Sequence, residues 1–201
     1  MIAQAPAPQK MSLEEFLQWL DEDTHAEWVN GEVLLMSPIS GEHQGVSEFL
    51  LVVISAFVRH NKVGEVRYEP FQMRLASSSR SPDILFVSYT NLHRLKETYL
   101  DGAADLVVEV ISPESRARDR GDKFYEYEEA GVREYWLIDP ERKQAEFYQM
   151  AEDGIYRTAL AGSQGVYHSK VLEGLWLKVE WLWQHPKPTV IDVLREWGVL
   201  S

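Results

Sequence analysis

Two short apolar runs each carry one acid where an apolar side chain is expected. In residues 105–111 (DLVVEVI), Leu106, Val108 and Val110 alternate with Val107, Glu109 and Ile111, and only the glutamate breaks the apolar character of either set. A strand-length run that is apolar on both faces predicts a central strand covered on both sides. Residues 81–87 (SPDILFV) predict a second strand, opened by Asp83 after Pro82. Elsewhere, Ser12 and Glu15 have capping-box spacing, and Leu13, Phe16, Leu17 and Leu20 recur at helical spacing, which predicts a helix over 12–22. Asn30-Gly31 splits the apolar stretch 27–36 into a hairpin. Residues 38–44 read as a loop containing His43, and a largely buried helix runs from about 43 to 60, with Gly64 as its stop.

Alternation over 66–75 predicts one strand, followed by a polar turn at 77–81 and a charged, partly helical connection at 91–102. Asp119 reads as a helix N-cap with Lys123 one turn in and Gly131 as the C-terminal stop. Residues 134–138 form a compact apolar strand closed by Asp139-Pro140. Further strands are expected near 144–149, 155–160 and 175–179, then a helix over about 189–197 with Val190, Val193, Leu194 and Trp197 on one face. The pattern predicts a mixed α/β fold, with a loose tail at 1–11 and a single domain over 12–201.

Composition adds exclusions. A chain of 201 residues suits one domain, and at this size folding buries roughly 70% of the unfolded surface, so a core forms without staples. The absence of cysteine excludes disulfides, thiolate zinc sites and cysteine nucleophiles, and suits the cytoplasm. The longest apolar run, 49–58, is too short to span a bilayer, so no membrane partner is expected. The amino terminus is rich in Ala, Pro and Gln and lacks the hydrophobic region of a signal peptide. A net charge of -12 argues against broad, sequence-blind nucleic-acid binding. Screening acts over roughly 8 Å, so a local basic cleft stays compatible with that balance.

The chemistry centres on the two acids. A mid-strand carboxylate loses hydration and needs a partner, a proton or a metal. Two acids on adjacent strands, with no histidine or cysteine nearby in sequence, suit a hard cation such as Mg2+. The plainer readings are a turn cap for Asp83 and an arginine pairing, with Arg67 or Arg74, for Glu109. Lys123 follows Arg116, Arg118 and Arg120 at a helix start, where the dipole already favours anions; a phosphate would reconcile the two. The alternative is a solvated loop neutralised by Glu114, Asp119 and Asp122. A charged lysine that stabilises a transition state is less costly than a lysine base, whose pKa would have to fall about three units, or about 4 kcal/mol. Glu27, His43 and Tyr127 have ordinary readings as a solvated acid, a helix-start histidine and a core tyrosine.

The ordered set AEWVNGE at 26–32, His43, Ser81-Pro82-Asp83, LVVEVISP at 106–113, Asp119 to Lys123 with Tyr127, and GVREYW at 131–136 resembles a large bacterial family of "putative restriction endonucleases". That family, long carried as a domain of unknown function, belongs to the PD-(D/E)XK nuclease superfamily, and the resemblance spans roughly residues 12 to 182. It implies a restriction-endonuclease-like core: a central mixed β-sheet flanked by helices, with additional antiparallel strands and a Mg2+ site (Mn2+ as substitute) that cleaves DNA. Asp83 matches the motif aspartate, Glu109 the second metal-binding acid and Glu27 the amino-terminal acid. Ile111 stands where the superfamily motif has its lysine; Lys123 matches a lysine moved to the following helix. The Val110 carbonyl would complete the metal shell, and His43, Arg116, Arg118, Arg120 and Tyr127 fall on the substrate side. A homodimer cutting both strands is the expected assembly. Two other readings compete: a silent nuclease-fold binding module, and a metal-free sugar hydrolase with Asp83 and Glu109 as its acid pair.

Overall fold

The computed structural model describes residues 10–21, 24–36 and 38–200. The tail expected at the amino terminus lies, through residue 9, outside the described residues. The first helix, α1 (Leu13–Trp19), starts at Ser12, whose hydroxyl accepts from the Glu15 amide while the Glu15 carboxylate accepts from the Ser12 amide. Strands β1 (Ala26–Val29) and β2 (Glu32–Leu35) form the expected hairpin. Asn30 and Gly31 both take positive φ, as a tight two-residue turn requires.

Helix α2 (Gly41–Asn61) is capped by Ser40, so His43 lies in its first turn and not in a loop. Lys62, in the left-handed conformation, ends it; Gly64 instead opens β3 (Gly64–Tyr68). A Cβ on Gly64 would lie 2.1 Å from the Val87 carbonyl oxygen, so glycine is demanded there by the neighbouring strand. The single strand expected over 66–75 is two, β3 and β4 (Gln72–Arg74), in different sheets. Pro70 has no amide hydrogen to donate and restricts Glu69 before it, which breaks the ladder. The polar turn expected at 77–81 is a buried strand, β5 (Ser78–Arg80). Its polar side chains tolerate burial because they are paired: Ser79 donates to Gln72, and Ser78 and Arg80 to Glu126.

Strand β6 (Ile84–Ser88) leads through a 3-10 turn to β7 (Tyr99–Asp101) and β8 (Leu106–Val110). Asp119 is not an N-cap: it lies within a short helix, α3 (Arg116–Arg120), and Gly121 separates this from α4 (Asp122–Ala130). Gly131, at positive φ, terminates α4 as expected. Strands β9 (Glu134–Asp139), β10 (Gln144–Met150), β11 (Tyr156–Gly162), β12 (Val166–His168) and β13 (Trp176–Lys178) follow, and α5 (Val190–Glu196) closes the chain, capped by Thr189. No described helix is long and apolar enough to cross a membrane.

The architecture is a mixed α/β one. A six-stranded sheet in the order β11-β10-β9-β8-β6-β3 combines a parallel β8–β9 pair with antiparallel neighbours. A five-stranded sheet, β2-β1-β5-β4-β7, lies alongside. As the alternation predicts, β8 is covered on both faces: Leu106, Val108 and Val110 join the core under α2 and α5, and Val107 and Ile111 join a second core with Tyr127 and Tyr135. Glu109 therefore stands in a fully buried strand, on the second face.

Candidate active site

The antiparallel register of β6 and β8 pairs Ile84 with Val108 and Leu85 with Val107, so one further step sets Asp83 opposite Glu109. Asp83 Oδ2 accepts the Val110 amide at 2.8 Å, which fixes its carboxylate beside the end of β8. Burial pushes Asp83 up to about 7, against the Val110 bond and the nearby Lys123. Burial likewise drives Glu109 well above the ordinary carboxylate range, although Lys123 opposes it.

Lys123, in the first turn of α4 and 1% exposed, reaches into this pair. Its Nζ lies 2.9 Å from Glu109, 3.1 Å from Glu27 and 3.4 Å from Asp119. Burial alone would discharge it, but the three carboxylates outweigh burial and raise its pKa well above the usual value, so it is a fixed positive charge. Tyr127, one turn on, donates to the same Glu109 oxygen at 2.8 Å. Glu27 is wholly buried and does not face open space: it accepts from Arg80 at 3.0 Å and from the Ser81 amide. Burial opposes its charge, yet Lys123 and Arg80 together hold its pKa down to about 2. Arg80 is anchored in turn by two bonds to Glu126. A chain of alternating charges, Glu126–Arg80–Glu27–Lys123–Glu109, thus runs through the interior.

A pocket of about 90 Å3 opens over Asp83, Glu109, Lys123, Asp119, Arg118 and His43. That is room for several water molecules or a hydrated ion. His43 Nε2 lies 3.4 Å from Asp83 Oδ1. Burial lowers the pKa of its ring and so favours a neutral imidazole, an effect that the Val110 backbone partly offsets. Glu69 also lines the pocket, its pKa raised by burial and by Asp83. Three buried polar atoms at this place, Ser81 Oγ, Arg118 Nε and Asp119 Oδ1, lack a hydrogen-bond partner among the described residues. Five carboxylates (Glu27, Asp83, Glu109, Asp119 and Glu126) meet two fully buried cations, Lys123 and Arg80, with Arg118 beside Glu27 at 3.9 Å.

The family described as "Uma2: Putative restriction endonuclease" matches residues 13–180. The chain belongs to that family. An uncharacterized Synechocystis protein is 30% identical to this Uma2 chain over 163 residues, covering 77% of it and 83% of the relative. In fold, the Uma2 chain is similar to the crystal structure of a putative nuclease from Anabaena variabilis. That likeness has a TM-score of 0.72 at 18% identity, covering 86% of this chain and 97% of the other.

Of the residues singled out in the sequence, Asp83, Glu109, Val110, Lys123, Glu27, Tyr127, His43 and Arg118 come together around the pocket. Arg116 and Arg120 stand apart, tied to Asp139, Glu141 and Glu146. Sequence reasoning gave no role to Arg80, Glu69, Ser81 or Glu126. Arg80 follows three serines with no apolar alternation, so nothing local marks it as buried. The clue for Glu69 was its place immediately before Pro70, a strand end near Asp83.

Proposed function

We propose that this protein is a divalent-metal-dependent endonuclease acting on DNA, with Asp83 and Glu109 holding Mg2+ (or Mn2+) and the Val110 carbonyl completing the protein's share of the shell. The observation that carries this reading is a buried Lys123 2.9 Å from Glu109, in one pocket with Asp83. The residues fit such an ion. The donors are hard oxygens, both carboxylates are raised by burial against the pull of Lys123, and the surrounding acids outnumber the buried cations. No three acidic or histidine side chains among the described residues form a ready-made cage, so water would have to supply the rest of the ion's shell.

A bound divalent cation supplies Lewis acidity toward a phosphoryl oxygen and lowers the pKa of a water. The chain's own groups do the rest. Lys123 keeps its proton and offers a fixed charge to the oxygens that become more negative as the phosphodiester is attacked. Glu27, itself held by Arg80, keeps that ammonium in position, and Tyr127 holds the Glu109 carboxylate. Arg118, at the pocket wall, is the cation available to a backbone phosphate. Pairing of two copies to cut both strands belongs to the same proposal, and a monomer at micromolar concentration would count against it.

Plasmid and single-stranded DNA incubated with Mg2+ or Mn2+ test the reading, with Asp83→Asn and EDTA as controls. Metal-dependent cutting lost in the variant is the expected result; cutting that survives Asp83→Asn refutes the assignment. A second reading, a nuclease fold that binds without cutting, is favoured by the engagement of Arg116 and Arg120 with carboxylates and by the charge of -12. It predicts no cleavage by any form and unchanged function in Asp83→Asn.

A further inference from the structure

The register of the six-stranded sheet carries an acid that neither the motif nor the family resemblance assigns. Strand β3 pairs with β6 through Arg67 with Leu85 and Tyr68 with Ile84, so the next step sets Glu69 opposite Asp83. The Glu69 amide donates to the Asp83 carbonyl at 3.3 Å, which continues the ladder to that pair. Asp83 is in turn opposite Glu109. Directly opposed residues share a face with Cβ atoms about 5 Å apart, so Glu69, Asp83 and Glu109 form a transverse row across three neighbouring strands. All three line the same pocket. Like charges so opposed repel one another, and the cation side is spent unevenly: Lys123 bonds Glu109, whereas Glu69 has beside it the ring of exposed His25 at 3.7 Å, which carries charge only when protonated. A second observation points to a ligand beside Asp83, the middle member of this row. Ser81, 5% exposed, lines the pocket with an Oγ that has no hydrogen-bond partner among the described residues. A buried hydroxyl of this kind is ordinarily satisfied by ordered water, which a hydrated cation brings with it.

We propose that Glu69 is the third carboxylate of the cation site, accepting hydrogen bonds from the waters of a divalent ion held at Asp83. The assignment rests on the reading of Asp83 and Glu109 as metal ligands and extends their site toward β3. Because Glu69 acts through charge and through water, it is a positioning residue, and its loss weakens the ion without removing it.

Calorimetric titration of the intact chain with Mn2+ tests this in the wild type, Glu69→Gln, Glu69→Asp, Glu65→Gln and Asp83→Asn. Glu65 points to the same face of β3 two repeats away, opposite Val87, and serves as the charge control. The expected result is a Kd raised about tenfold in Glu69→Gln, largely restored in Glu69→Asp, and within about twofold of wild type in Glu65→Gln. Loss of binding in Asp83→Asn with an unchanged Kd in Glu69→Gln overturns the Glu69 assignment and leaves the two-acid site standing. Equal weakening by Glu65→Gln also overturns it, since the effect is then general charge. Failure of the wild type to bind Mn2+ overturns both.

Discussion

Replacing Lys123 by methionine removes the charge at which Glu109, Glu27 and Asp119 converge, while keeping a side chain of similar length. At an effective dielectric of about 20, two unit charges separated by the 2.9 Å between Lys123 and Glu109 attract by about 6 kcal/mol. Desolvation of the ammonium offsets much of this, but the carboxylates left behind stay buried. Breaking such a set by removing one partner costs about 3–5 kcal/mol. In a chain of 201 residues that lowers the melting temperature by roughly 6–20 °C. The informative experiment is the double-mutant cycle of Lys123→Met, Glu109→Gln and the pair, followed by urea unfolding in EDTA with tryptophan fluorescence. Neutralising Glu109 as well removes the carboxylate nearest the lost ammonium, so the double variant is more stable than the sum of the single losses predicts, by about 2 kcal/mol or more. Additivity within about 0.5 kcal/mol refutes the reasoning, because the ammonium and the carboxylate then do not sense one another.

Two further outcomes follow from the same geometry. Asp83 is raised from 3.8 to about 7, so the folded protein keeps a proton that the unfolded chain has already released. The stability present below about pH 4 is therefore lost as the pH climbs through about 7, by up to about 4 kcal/mol. In EDTA, thermal melts should fall between pH 5 and 8, and the fall should be shallower in Asp83→Asn; an equally steep fall in the variant refutes the assignment to Asp83. Gly64→Ala drives a Cβ to 2.1 Å from the Val87 carbonyl, a backbone collision on the strand that leads to Glu69. It should cost more than about 3 kcal/mol or abolish soluble protein, and circular dichroism with a urea midpoint close to wild type would count against it.

Much of the fold was legible because its signals are local. The capping box at Ser12, the Asn30-Gly31 turn and the Gly131 stop act over three or four residues, and each appears where its chemistry demands. The double-faced apolar run of β8 was legible for a related reason: alternation reports burial without needing to name what buries it. Errors fell where a polar stretch is buried by partners distant in sequence. Residues 77–81 read as a turn, yet Ser78, Ser79 and Arg80 are interior because Glu126, Gln72 and Glu27 meet them there. The Gly121 break between α3 and α4, which makes Asp119 an interior helix residue and not a cap, left no clear pattern either.

The sequence by itself determined which residues could carry the chemistry: a buried acid at 109, an acid at the mouth of the neighbouring strand, and a lysine on the helix beyond. Strand periodicity and residue type suffice for that, since both are properties of the chain. Only the tertiary structure decided how their charges are divided. It gave Glu27 to Arg80 and Lys123, tied Arg116 and Arg120 to other carboxylates, left Arg118 at the pocket wall, and brought Glu69 into line with Asp83 and Glu109. Electrostatic energy depends on distance and burial in space, and neither separation along the chain nor composition specifies those.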